Sequence, residues 1–203
     1  MRRLLVLAVV LGALIPSTAQ AAELIVVEKR ATADVPAETW SNGSFGDVRG
    51  LVMREWRELD SGESDRELEF LWDGAMNDQA GDRVWTGHIS YEGNILADQV
   101  YHQRGVKGAR LTFTDPFSCI WVDEDDVPGA VDGCIEGELL VRARWTAFGP
   151  IIRTRFSNDG GLMFVRDTRQ ASIEGAFTFD GERLPGSNFN GTGELIRTRT
   201  YTP

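Results

Sequence analysis

Arg142 and Arg144, Arg153 and Arg155, and Arg197 and Arg199 form three pairs, each spaced by two, in segments where apolar and polar residues alternate. A spacing of two in an extended strand puts both side chains of a pair on one face. If the three strands are neighbours, their guanidinium groups form a patch that could hold a carboxylate, sulfate or phosphate bidentately. The competing expectation is that they pair across the sheet surface with Glu136, Glu138, Glu194 or the acid-rich first half. Glutamates in the same strands favour that second reading.

A second constellation is the run Asp123-Glu124-Asp125-Asp126, followed by Pro128-Gly129 and Asp132. Asp123, Asp125, Asp126 and Asp132 are hard oxygen ligands crowded into one loop, and calcium is the cation they would suit. The spacing departs from the twelve-residue calcium loop, because Pro128 stands where that loop needs glycine and no glutamate closes it. A solvated acidic loop is therefore preferred, and calcium is the only cofactor considered. Of the tryptophans, Trp72, Trp85 and Trp145 fall in step with apolar neighbours and read as core. Trp40, in a polar stretch beside Asn42-Gly43, is the one expected to contact a ligand at the surface.

Catalytic patterns are thin. His88 alternates with Thr86 and Ser90, and Glu69 could join it on paper, but there is no Gly-x-Ser-x-Gly elbow to supply a nucleophile. Glu67, Glu69, Glu136 and Glu138 would serve a glycoside hydrolase only if two of them converge within about 5–10 Å.

The elements that carry these residues are strands. From residue 135 to 145, Ile135, Leu139, Val141, Ala143 and Trp145 share one face, while Glu136, Glu138, Arg142 and Arg144 share the other. Residues 171–180 repeat the scheme, and further strands are expected at 24–28, 48–58, 67–72, 83–91, 110–114, 118–123, 151–156, 162–166 and 193–201. Asn42-Gly43, Asp73-Gly74, Asp132-Gly133 and Asp180-Gly181 are among the turn signals between them. Residues 94–103 are the one stretch that could form a short helix. Gly87, Gly137 and Gly175 share parity with the apolar side chains of their strands, which marks bends or close approach in a tightly curled sheet. The fold class is all-β: a single antiparallel β-barrel or tightly curled β-sandwich over residues 22–203.

Residues 1–21 precede that domain as an expected secretory signal peptide: Arg2-Arg3, an apolar run from Leu4 to Ile15, and Ala19-Gln20-Ala21 at the cut. Twelve apolar residues span about 18 Å as a helix, short of the ~30 Å hydrocarbon core. Export places the protein in the periplasm or the extracellular medium, with no integral membrane span. There Cys119 and Cys134 are expected to pair, and closing this short loop stabilises by about 3 kcal/mol. Removing Arg2 and Arg3 lowers the basic count from 21 to 19 against 31 acids, a charge near −12. That charge argues against nucleic acid as a partner. The sequence favours a non-catalytic exported protein that binds a small apolar or saccharide ligand or another envelope component. The alternatives are a polysaccharide-acting hydrolase or lyase, and a structural or interaction protein without a small ligand.

Overall fold

The computed structural model describes residues 22–77, 79–95, 99–122 and 133–202, so the expected signal peptide lies outside the described residues. Every element among them is a strand: β1 (Leu24–Asp34), β2 (Glu38–Thr39), β3 (Phe45–Glu58), β4 (Ser64–Asn77), β5 (Arg83–Asn94), β6 (Val100–Gln103), β7 (Gly108–Val122), β8 (Cys134–Ala147), β9 (Ile152–Ser157), β10 (Met163–Phe179) and β11 (Asn188–Tyr201). All pairings are antiparallel, and they run β3-β4-β5-β7-β8-β10-β11-β1. The pairing of β1 with β3, from Val26 opposite Glu58 to Ala33 opposite Leu51, closes the ring. This is an up-and-down barrel, closed at every seam, though β5 and β7 meet over only two residue pairs, Gly87 with Val122 and His88 with Trp121. Three short strands lie off the ring: β2 on the start of β3, β6 on the start of β7, and β9 on the start of β10.

An eight-stranded ring is just wide enough for side chains to fill it. Period-2 alternation supplies them: Leu68, Phe70 and Trp72 from β4, Leu111 and Phe113 from β7, Leu139, Val141 and Trp145 from β8, and Ile173 and Phe177 from β10 are all buried. Aromatic rings meet edge to face across the interior, Phe70 against Phe177 at 5.2 Å and Trp72 against Phe177 at 6.0 Å. Such pairs add about 0.5–1.5 kcal/mol beyond the area they bury. The outer wall carries the charged members of the same strands, among them Glu67, Arg142, Arg144 and Glu174. Apolar inside and charged outside is the reverse of a membrane-spanning barrel. Among the described residues no helix is long and apolar enough to cross a membrane.

Two buried indoles decide local backbone geometry. Trp145 Nε1–H donates to the carbonyl of Thr32 on β1 at 2.8 Å, and Trp72 Nε1–H donates to the carbonyl of Pro185, in the β10–β11 connection, at 2.9 Å. Each carbonyl fills the space a side chain would need: a Cβ at Gly193 would lie 1.9 Å from the Thr32 oxygen, and one at Gly46 would lie 1.8 Å from the Pro185 oxygen. Gly137 and Gly175 accommodate rings instead, since a Cβ there would meet Phe179 at 2.5 Å and Phe189 at 2.3 Å. Gly87 faces inward as well, with the Trp121 carbonyl 2.6 Å from where its Cβ would be. The core-facing glycines expected from parity are thus sites of close approach.

Two expected strands at 162–166 and 171–180 are one long strand, β10, and those at 110–114 and 118–123 are joined in β7. The join in β7 is a register shift between Asp115 and Ser118. Pro116, which has no N–H to offer a ladder, sits in it, and the Asp115 carboxylate accepts from the Phe117 N–H at 3.3 Å and the Ser118 hydroxyl at 2.6 Å. The short helix expected across 94–103 does not form in its described part: Asn94 ends β5, and Val100–Gln103 is β6. Tyr101 and Gln103 are buried while Val100 and His102 are exposed, a period of two that a strand satisfies and a helix does not. Cys119 and Cys134 form a disulfide between β7 and β8, with Cα atoms 5.4 Å apart.

Replacing Gly193 by alanine should force the Thr32 carbonyl away from Trp145 and cost about 2–4 kcal/mol, a strain and a lost buried hydrogen bond together. Urea unfolding checks it; a change below about 0.5 kcal/mol would mean the carbonyl moves freely and the approach is not a constraint.

Candidate functional site

The barrel interior changes character towards the end of the ring where β9 lies. Below Leu195 the inward positions of β11 are Arg197 and Arg199, and those of β1 and β3 opposite them include Lys29 and Glu55. β9 and β11 flank β10 on either side, so Arg153 and Arg197 both stand opposite Asp167. Arg153 Nε donates to Asp167 Oδ1 at 2.6 Å, while Arg197 Nη2 and Arg199 Nη2 donate to Oδ2 at 2.7 and 3.0 Å. The carboxylate side chain is 1% exposed. The hydrogen bond from Arg153 does most to hold its carboxyl down, to about 2, against the burial that raises it; Arg197 adds a second. Arg155, one alternation along β9 on the same face, stands opposite Val165 and makes no ion pair among the described residues.

A polar network continues across the same end. Lys29 Nζ and Glu55 Oε1 are 2.9 Å apart. The Tyr101 hydroxyl donates to Gln103 Oε1, and the Gln103 amide donates to main-chain carbonyls of Gly105 at 2.7 Å and Ile196 at 3.1 Å. Burial, with the charge of Glu55 adding to it, pushes the Tyr101 phenol up, so it remains a donor. The Nε atoms of Arg197 and Arg199 are buried without a hydrogen-bond partner among the described residues. Three arginines therefore share one internal carboxylate. Of the arginine pairs, the structure brings Arg153 and Arg155 together with Arg197 and Arg199, and the anion that three of them hold is Asp167 of the chain itself.

The third pair lies elsewhere. Arg142 and Arg144 point out from the wall on β8, with Arg110 of β7 opposite Arg144 and His102 of β6 opposite Arg110. Cross-strand neighbours stand about 4.8 Å apart along such a row. Arg104 and Lys107, at the turn between β6 and β7, extend it, and a shallow groove runs from this turn past Arg110 to Thr146. Glu174 of β10 is the acid at its margin, 3.8 Å from Arg144, whose side chain is 58% exposed. At that distance and exposure the ion pair contributes little, and the guanidinium groups remain available to an external anion.

Trp40 sits in the turn between β2 and β3, where its N–H donates to the Ser44 carbonyl at 2.7 Å and its carbonyl accepts from the Gly43 N–H at 3.0 Å. With Ser41, Asn42 and Gln79 it borders an open depression remote in sequence from every arginine pair. Glu67 and Glu69 on β4 and Glu136 and Glu138 on β8 face out from the convex wall with β5 and β7 between them, so no cleft gathers them. His88 is exposed and stands opposite Asp73, with Glu69 four residues along β4. Asp123, Asp125, Asp126 and Asp132 lie outside the described residues. Sequence reasoning missed Asp167. Its one signal was an acid in step with Val165, Ala171 and Ile173, which becomes visible only when β10 is read as unbroken.

Replacing Asp167 by asparagine should destabilise the barrel by about 2–3 kcal/mol, because it leaves three guanidinium groups facing one another. The folded carboxyl titrates below the unfolded one, so its contribution is full above about pH 4 and is lost as pH falls through about 2. Thermal unfolding between pH 5 and 2 should show a loss of that size in the parent protein and a flatter profile in D167N; identical profiles would contradict it.

Compared with known proteins, the chain matches no family model, no curated protein and no solved structure.

Proposed function

We propose that this is an exported, non-catalytic barrel that binds an anionic saccharide, or another anionic envelope component, on its outer wall at Arg110, Arg142 and Arg144. The observation that carries this reading is the segregation of charge. His102, Arg104, Lys107, Arg110, Arg142 and Arg144 share one flank on which Glu174 is the one marginal acid among the described residues, on a chain of net charge −10. Scattered surface charges would pair locally; a row of exposed guanidinium groups on adjacent strands presents repeated bidentate donors at strand spacing. The filled interior supports an external ligand over an apolar molecule held inside the ring, since Phe70, Trp72, Phe113, Trp145 and Phe177 occupy that space. The disulfide between β7 and β8 fits an oxidising compartment outside the cytoplasm.

The test is binding of the mature protein to polygalacturonate, a polymer of carboxylates, over a series of salt concentrations. Affinity should fall as salt rises, because exposed pairs are screened. Arg142→Ser with Arg144→Ser should weaken binding about tenfold at low salt while leaving thermal unfolding unchanged. Salt-independent binding, or equal affinity in the double variant, would overturn the reading.

A further inference from the structure

We infer that the free edge of β9 is a strand-addition site for an extended segment of a partner protein in which acidic and apolar side chains alternate. This goes beyond the basic wall and uses a different surface. Among the described residues β9 has one sheet neighbour, β10, and all six of its residues are exposed. The Asn158 N–H donates to the Leu162 carbonyl at 3.1 Å, and the register from there to Ile152 opposite Thr168 is unbroken. Antiparallel bonding alternates, so Phe156, Thr154 and Ile152 exchange their main-chain bonds with β10. The N–H and C=O groups of Arg153, Arg155 and Ser157 therefore point to the open edge. An edge of this kind is a template for another strand; proteins blunt unused edges with proline, a bulge, a cover or charged side chains, and of the two charges β9 carries, Arg153 is already bound by Asp167.

Side chains on this edge specify the occupant. Ile152 and Phe156, 61% and 51% exposed, project to one face, and Phe156 stacks on Phe164 of β10 with ring centroids 4.9 Å apart. Phe148 and Ile151, 47% and 49% exposed, precede the strand and enlarge the apolar surface. On the opposite face stand Arg153, bound to Asp167, and Arg155, which has no acid across from it on β10. An added strand completes the ladder with its main chain, sets apolar residues beside Ile152 and Phe156, and sets a carboxylate beside Arg155. A basic or uniformly polar strand would leave both faces mismatched.

The experiment uses the mature protein and a short synthetic peptide alternating glutamate with valine. Titration by fluorescence anisotropy, with amide hydrogen exchange of the complex, should show binding and slowed exchange at Arg153, Arg155 and Ser157. Arg155→Ser keeps the N–H and loses the charge, and should weaken binding a few-fold. Arg155→Pro also removes an outward N–H without breaking a bond to β10, and should abolish binding. The same peptide N-methylated on alternate amides, in the two possible registers, provides a second readout with the parent protein: one register must fail to bind. Equal affinity in R155P and R155S, or binding by both methylated peptides, would overturn the inference. So would self-association of the free protein that R155P abolishes, which would assign the edge to a second copy. Sedimentation with phosphatidylglycerol vesicles that R155P leaves intact and Phe156→Ser abolishes would assign it to a lipid surface, and would equally overturn it.

Discussion

An indole N–H buried among apolar side chains must find an acceptor, because leaving it unpaired costs about 1–3 kcal/mol. Inside a barrel the wall's carbonyls are already committed to the strand ladder, and much of this structure follows from how Trp145 and Trp72 resolve that conflict. Trp145 reaches from β8 to the Thr32 carbonyl on β1, two ring strands beyond its own neighbour β10, and Trp72 reaches the Pro185 carbonyl in the connection before β11. Both carbonyls need empty space beside them, which Gly193 and Gly46 provide. One contact ties β1 to β8 and the other ties β4 to the β10–β11 connection, where Leu184 and Ser187 are buried on either side of Pro185.

Closure by β1 has a functional corollary. With β1 bonded to both β11 and β3 the ring closes, its thinnest seam being the two residue pairs that join β5 to β7, and its interior is occupied by ten or so large side chains from every quarter. Two surfaces outside that interior stand out, the outer wall at β6, β7 and β8 and the strand β9 off the ring. Those two surfaces differ in chemistry. The flank formed by β6, β7 and β8 is a row of cations, while β9 presents main-chain groups unpaired among the described residues between an apolar face and a basic one. At the inner end between them, Asp167 neutralises part of a surplus of arginine that would otherwise repel.

Much of the fold was legible because alternation is a local signal. Residues 135–145 and 171–180 announce half-buried strands on their own, and Cys119 and Cys134, the only two cysteines of a chain expected to be exported, pointed to their disulfide. Closure was not legible, since the pairing of Val26 with Glu58 or of Thr32 with Glu194 depends on curvature summed over the whole sheet. The arginine pairs were visible as pairs, but which strands are adjacent decides their meaning: β9 and β11 share β10, whereas β8 turns its pair outward. Asp167 was hidden for a related reason, because the polar stretch from Arg166 to Gln170 breaks the hydrophobic pattern although the strand continues. The stretch from Val100 to Gln103 misled in the opposite sense, its apolar spacing being too short to separate a helix from a strand.

The central claim is that recognition takes place on the basic flank while the interior remains a packed core. The most direct measurement is a heteronuclear NMR titration of residues 22–203 with polygalacturonate, following arginine side-chain and tryptophan indole signals together. The account predicts shifts at Arg110, Arg142 and Arg144, with the Trp72 and Trp145 indole protons unmoved. Shifts confined to those two buried indoles would contradict it, and would place the ligand inside the ring.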